Sequence, residues 1–175
     1  MITGSKIRLR DKGLADALAD YIWQTDPELT RLDATSPLTT TFSQYLSDYA
    51  DELGYSSPIR HRFAVETLLG KHIGNCSYYS ISGAKGEAEL GIMIGNRNYW
   101  DKGYGIDTVT TLVNYIFRQT NLKRIYLKTL ESNSRAQKCF KKCGFTPYGH
   151  SVRDEFSFML MEITRKQWSE ETGVG

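Results

Sequence analysis

Between Leu90 and Ile106 an apolar run gives way to Gly95-Asn96-Arg97-Asn98-Tyr99-Trp100-Asp101-Lys102-Gly103-Tyr104-Gly105, after which apolar residues resume at helical spacing. At a helix start the first four N–H groups lack intrahelical partners and the positive end of the dipole faces outward. Gly103 and Gly105 present no Cβ there, so bare backbone can approach and cradle a pyrophosphate. Two commoner phosphate loops are excluded: no G-x-x-x-x-G-K-[ST] run is present, and a dinucleotide fingerprint needs a third glycine where the chain has Thr108. Glycines that merely end a loop and start a helix are the plain alternative. Further on, Arg135, Lys138, Lys141 and Lys142 stand at i, i+3, i+6 and i+7, so one helical face carries four positive charges. Phosphate groups suit that face, and solvent accounts for it equally well. A carboxylate candidate lies upstream. Glu87, Glu89, Gly91 and Met93 share one face of a strand and Ala88, Leu90, Ile92 and Ile94 the other, so Glu89 can face a cleft as a base, or simply face solvent.

The elements that must hold these residues follow from periodicity. Lys6 to Arg10 alternate as a strand and meet Asp11, a plausible N-cap, after which Leu14, Leu18, Tyr21 and Ile22 fall on one helical face. Asp26 to Leu38, with Pro27 and Pro37, suits a loop, and a second amphipathic helix runs through Phe42, Tyr45, Leu46 and Tyr49. Phe63–Leu68, His72–Ile81 and Ala88–Ile94 read as an antiparallel meander broken by Leu69-Gly70-Lys71 and Gly83-Ala84-Lys85-Gly86. Ile106, Val109, Leu112, Val113, Ile116 and Phe117 mark a helix, Ile125–Leu130 a strand, Ser134–Cys143 a helix and Phe156–Ile163 a final strand. The order predicts an α/β (α+β) domain with a mixed, mostly antiparallel central sheet of about seven strands flanked by about four helices.

At 175 residues, with 40% hydrophobic and 12% aromatic content, one domain over residues 1–175 is expected. The formal net charge of +2 argues against nucleic acid as a partner. No run approaches the ~18 apolar residues of a membrane span. The start Met1-Ile2-Thr3-Gly4-Ser5-Lys6 lacks a signal peptide's apolar run, so a cytoplasmic protein with no membrane partner is expected. Cys76, Cys139 and Cys143 read as reduced core residues, no Cys/His grouping has zinc spacing, and no metal is expected. His61, His72 and His150 are scattered singly as ordinary imidazoles. The sequence is silent on oligomeric state, and a homodimer stays open.

Glu89-Leu90-Gly91-Ile92 followed by Tyr99-Trp100-Asp101-Lys102-Gly103-Tyr104-Gly105 resembles the acyl-CoA pyrophosphate loop of GNAT superfamily N-acetyltransferases. The version is that of ribosomal-protein N-terminal acetyltransferases and polyamine acetyltransferases. Glu131-Ser132-Asn133-Ser134-Arg135-Ala136 with Cys139-Phe140-Lys141-Lys142-Cys143-Gly144-Phe145 resembles the family's second signature, in the right order. The resemblance covers roughly Arg62 to Ile163, and the first third of the chain matches only in layout. It implies acetyl-CoA as co-substrate, held by Met93, Ile94, Lys102, Gly103, Tyr104, Gly105, Ile106, Asn133, Phe140 and Lys142. It also implies that the fourth and fifth strands splay, leaving backbone near Met93 and Ile94 free for the pantetheine arm, and that Asn133 hydrogen-bonds the cofactor.

Amine acetylation needs a neutral nucleophile, yet an amine of pKa near ~10 is almost wholly protonated at neutral pH, so a base must take that proton. Glu89 is the expected base, and a free N–H near Met93 the expected donor to the developing oxyanion. The chain departs from the family where many relatives carry a tyrosine acid, here Phe140, and where some carry a base, here Lys128. A thiol of pKa near ~8.5 leaves tolerably unassisted, so a missing acid costs on the order of 100-fold. Tyr104 and Tyr148 are the alternative proton donors. Asp101, where relatives often have glycine, is expected to cap the helix, with Lys102 and Arg97 offsetting its charge.

The first two helices and their connection usually shape the acceptor site in this family. Asp26, Glu28, Asp33, Asp48, Asp51 and Glu52 face only Arg31 in sequence, a bias that draws a cationic amine unless it is a solvated face. Tyr45, Tyr49 and Tyr55 either line a cleft or pack at a rim. The acceptor is thus a peptide or protein N-terminus, or a small amine such as a polyamine or amino sugar. A non-catalytic acyl-CoA-binding sensor is the alternative.

Overall fold

The computed structural model describes residues 1–174. Eight strands form one sheet: β1 (Ile2–Thr3), β2 (Ile7–Asp11), β3 (Arg60–Thr67), β4 (His72–Ser82), β5 (Glu87–Ile94), β6 (Arg124–Leu130), β7 (Thr146–Arg153) and β8 (Phe156–Thr164), in the order β1-β2-β3-β4-β5-β6-β8-β7. Every pairing is antiparallel except β5 with β6. Six helices accompany it: α1 (Ala17–Thr25), α2 (Pro27–Leu32), α3 (Phe42–Leu53), α4 (Tyr104–Gln119), α5 (Ser134–Lys142) and α6 (Arg165–Thr172). No described helix is long and apolar enough to cross a membrane. The main core is formed by Ile7, Leu9, Val65, Ile73, Ala88, Leu90, Ile125 and Leu127 from the strands. Val109, Leu112, Val113, Ile116 and Phe117 of α4 pack on them.

The mixed sheet is as expected, with one strand and two helices more than anticipated. The additional strand pairs lie at the edges. β1 has only two residues, while β7 carries Pro147 and a register shift between Pro147 and Gly149, features that suit a strand with one free side. Asp26 to Leu38 is not all loop. Pro27 sits at the first helical position and the Asp26 carboxylate accepts from the N–H groups of Glu28 and Leu29, which is enough to start the six-residue α2. Thr164 and Gln167 form a reciprocal cap that starts α6.

The face expected of the first helix is reversed. Leu14, Leu18 and Ile22 are more than half exposed, whereas Ala17, Asp20 and Trp23 are buried. Asp11 caps nothing: it ends β2, and the Asp16 carboxylate accepts from the Gly13 N–H at the turn that leads into α1. A polar cluster binds α1 to the sheet. Arg10 donates to both oxygens of Asp16 and to Glu66, and the side chains of Lys12, Tyr49 and Asn75 all donate to Asp20.

Burial pushes the Asp16 carboxyl up, but hydrogen bonds from Arg10 and from the Gly13 N–H, with His72 nearby, outweigh it and hold the group at about 2. A depressed carboxyl stabilises the fold above its unfolded value near 4, and that contribution drains away as pH falls toward 2. Asp16→Asn is expected to remove on the order of 2 kcal/mol at pH 7 and to flatten the stability profile between about pH 4 and pH 2, as urea unfolding at stepped pH will reveal. A second expectation concerns Gly95, where any Cβ would run into the Trp23 indole. Gly95→Ala should lower stability by about 1–3 kcal/mol through overpacking, measured as a shifted denaturation midpoint with an unchanged slope.

Candidate active site

Strands β5 and β6 pair only through Glu87–Arg124, Ala88–Ile125 and Glu89–Tyr126. Beyond these, β5 continues along β4 to Ile94 while β6 follows β8 to Leu130, so the two diverge and a gap opens. The Met93 carbonyl oxygen points across to β4, where it would block a Cβ on Gly74. Successive residues of a strand turn their N–H and C=O groups to opposite sides, so the groups facing the gap belong to Ile92 and Ile94. The Ile94 carbonyl is already occupied, accepting from the Trp100 indole at 2.6 Å.

A cavity of about 660 Å³ fills the gap and runs to the start of α4 and the outer face of α5. Gly103 precedes the first turn of α4 with φ +85° and ψ 0°, a left-handed conformation that glycine adopts without strain. The first-turn Asp107 ties this helix start to the sheet, its carboxylate accepting from the N–H groups of Ser5, Lys6 and Ile7. Met93, Ile94, Lys102, Gly103, Gly105 and Ile106 line the cavity, joined from the other side by Asn133, Phe140 and Lys142. Asn133 caps α5, its amide oxygen accepting from Ala136 N–H. Phe140 is buried against Phe145. Tyr104 is the expected residue that falls outside: its ring meets Tyr99 edge-on, and it borders a separate small recess with Lys71 and Asn96.

Of the four cations expected on one face of α5, Arg135, Lys138 and Lys142 border the cavity and Lys141 does not. The Arg135 guanidinium lies 3.6 Å above the Trp100 ring, and its Nη1 is 4.0 Å from Asp101. Asp101 therefore has a cationic neighbour, but not the one expected, and it does not cap α4. Its own φ is +57°, Arg97 is engaged with Asp26 and Glu28, and the Lys102 ammonium donates to the Asn98 carbonyl. Trp100 was legible in the sequence only as part of the glycine loop, since nothing in the spacing told that its indole would hold the end of β5.

A second cavity of about 630 Å³ lies on the other face of the sheet, walled by α1, α3 and the α2–α3 connection. The two share Asp33, Ile92 and Met93. Tyr45 and Tyr49 line the second cavity, as do Asp20, Asp48 and Glu52, whereas Tyr55 is exposed away from it. The acidic bias of the sequence is thinned by pairing. Arg97 takes Asp26 and Glu28, Arg62 takes Glu52 at 2.8 Å, and Lys12 takes Asp20.

Glu89 borders neither cavity. Its carboxylate accepts from the Tyr79 hydroxyl at 2.7 Å and has the Lys128 ammonium at 3.9 Å, and Tyr79 is the one that lines the second cavity. Burial, and then the hydrogen bond to Glu89, push the Tyr79 phenol well above its ordinary range, so it remains a neutral donor. Tyr148 lies on β7 with the Arg124 guanidinium 4.8 Å over its ring and borders none of these cavities. A left-handed residue other than glycine costs about 1–2 kcal/mol, so Gly103→Ala should distort the helix start and weaken coenzyme A binding roughly tenfold, read by calorimetric titration.

Residues 6–146 match the family described as the acetyltransferase (GNAT) domain. An uncharacterized N-acetyltransferase p20 of Bacillus licheniformis is 29% identical over 149 residues, 85% of this chain and 80% of the relative. The spermidine N(1)-acetyltransferase of Vibrio cholerae serotype O1 is 30% identical over 95 residues, 54% of each chain. Among solved structures, spermidine N-acetyltransferase from Vibrio cholerae in complex with CoA and spermine superposes with a TM-score of 0.84 at 22% identity, covering 94% of this chain and 98% of that one. An aminoglycoside acetyltransferase in complex with coenzyme A superposes with a TM-score of 0.77 at 21% identity, over 95% of this chain and 99% of the other. The parted strands, the glycine-started helix and a profile match across most of the sequence agree, and the chain belongs to the GNAT acetyltransferase family.

Proposed function

We propose that this protein moves the acetyl group of acetyl-CoA to a primary amine of a small cationic acceptor, a polyamine or an amino sugar. The observation that carries the reading is the meeting of two differently built cavities at Asp33, Ile92 and Met93. One ends in helix N–H groups and four cations, Lys102, Arg135, Lys138 and Lys142, suited to the phosphates of coenzyme A. The other is lined by tyrosines and by four carboxylates, two of them paired with Lys12 and Arg62, a polar chamber suited to an amine. The related enzymes that act on spermidine and on aminoglycosides support the same acceptor class.

In this reading the first turn of α4, with Lys102, Gly103, Gly105 and Ile106, holds the diphosphate. Arg135, Lys138 and Lys142 neutralise it. Acetyl-CoA supplies an activated acyl group. The remaining duties fall to the chain: Ile92 and Ile94 turn backbone groups toward the gap, and Phe140 closes its apolar wall in place of a hydroxyl donor. Glu89 enters as the group that holds the Tyr79 hydroxyl at the edge of the acceptor cavity, since its carboxylate reaches that cavity only through Tyr79.

Thiol release from acetyl-CoA across a panel of polyamines, amino sugars and peptides tests this directly. Turnover is expected with polycationic small amines and not with peptides, and KM for the amine is expected to rise with salt as attraction is screened. Thermal stabilisation by acetyl-CoA without thiol release for any amine would instead favour a non-catalytic sensor.

A further inference from the structure

The shared wall of the two cavities contains a single titratable group, Asp33. It ends α2, where its N–H donates to the carbonyls of Leu29 and Thr30, and the next residue, Ala34, is buried with a φ of +55°. The short helix and its turn therefore fix where this side chain stands. Asp33 is exposed, and the space it opens onto is that of the two cavities. Although the residue keeps solvent contact through the cavities, the walls around its carboxyl remove part of its water, and this partial desolvation raises it to about 6.

The neighbouring carboxylates are already committed. Asp20 accepts from Lys12, Tyr49 and Asn75, and Asp48 from the Gln44 amide. Glu52 pairs with Arg62, and Glu89 accepts from Tyr79. The groups that face the junction come from four sides. Tyr79 on β4 is close enough to sense the charge of Asp33, but its proton is already directed at Glu89. Lys12, Arg60 and Arg62 border the acceptor cavity, and Arg135, Lys138 and Lys142 border the other. None of these cations is within ion-pairing distance of Asp33 among the described residues.

We propose that Asp33 is the catalytic base, the group that takes the proton lost by the acceptor nitrogen at the junction of the two cavities. The proposal rests on the reading that acetyl-CoA and an amine fill those cavities. The nitrogen lone pair forms the N–C bond to the acetyl carbon, the C–S bond breaks and its electron pair goes to sulfur. Two protons leave an acceptor that arrives as ammonium. The first passes to the Asp33 carboxylate and frees the lone pair for attack, and the second leaves the acylated nitrogen for the thiolate sulfur directly or through solvent. Asp33 then returns its proton to solvent. A carboxyl near 6 is ionised at neutral pH, yet is a better proton acceptor than an ordinary aspartate near 4. Its negative charge also draws the ammonium form of the amine to the place where the proton must be lost.

The test combines a titration with kinetics. In the free protein, carboxyl-carbon NMR should show one aspartate titrating near pH 6, and Asp33→Asn should delete that signal. In the same variant kcat should fall roughly 100-fold or more while thermal stabilisation by coenzyme A is retained. The acidic limb of kcat/KM near pH 6 should disappear. The loss should shrink for an acceptor such as hydrazine, of which far more is neutral at the assay pH, because no proton then has to be removed before attack. An Asp33 that titrates near 4, or a variant that keeps full kcat or the acidic limb, overturns the proposal. If the variant does not fold, the unaltered protein decides through two readings together, and an acidic limb of kcat/KM that does not coincide with the Asp33 titration overturns the proposal. An unaltered protein that acetylates amines beside an unaffected variant defeats only the role of Asp33. An unaltered protein that acetylates nothing defeats the transferase reading beneath it.

Discussion

Strands β5 and β6 share three residue pairs and then part, and nearly everything distinctive about the molecule depends on that divergence. A continuous ladder would satisfy the backbone of Ile92 and Ile94 within the sheet and leave no passage between its faces. Each strand can leave the other because each has a second neighbour, β4 on one side and β8 on the other, that keeps its hydrogen bonds to the end. The parallel pairing also demands a long crossover, and α4 supplies it. Its N-terminus consequently opens at the mouth of the gap. Asp107 secures that end against the start of β2, so helix and sheet move as one body.

Charge is sorted around this opening. On the side of α4 and α5 the lining is cationic, with Arg135 stacked on Trp100 and Trp100 in turn bonded to Ile94. On the side of α1 and α3 the lining is mixed, with Tyr45, Tyr49 and Tyr79 among the carboxylates of Asp20, Asp33, Asp48 and Glu52 and the cations Lys12, Arg60 and Arg62. In the proposed reading the acyl donor enters from one face of the sheet and the amine from the other, and the two meet where the strands part.

The wall that separates the acceptor cavity from solvent is held by buried polar contacts more than by apolar packing. Arg10, Asp16 and Glu66 form one set, and Lys12, Asp20, Tyr49 and Asn75 another. Such groups are costly to bury unless fully paired, and breaking any pair leaves an uncompensated charge. This is why α1 turns Asp20 and Trp23 inward while Leu14, Leu18 and Ile22 face out. Apolar periodicity, which assumes that burial follows hydrophobicity, pointed to the opposite face.

Local rules sufficed for much of this. Period-two and period-3.6 patterns place β4 to β6, α4 and α5 within a residue or two, and β3 and α3 within three or four, because those elements present one regular apolar face. The glycine loop and the Asn133 helix carry the family resemblance, and nine of the ten residues that the resemblance implied line one cavity. What the sequence alone left open is set by distant contacts. Glu89 has the right type, strand and face, yet its carboxylate is bonded to Tyr79, its register partner on β4, and it is Tyr79 that lines the second cavity. Asp33 is one acid among six in its stretch, with nothing in its neighbours along the chain to distinguish it. Arg97 holds Asp26 and Glu28, Arg62 holds Glu52, Asp48 accepts from Gln44 and Asp51 borders neither cavity, so the convergence of α2 on β5 leaves Asp33 as the acid at the junction. Residue type and periodicity are local properties, whereas which charge stays unpaired, and what lies on both sides of it, exist only once the chain has folded.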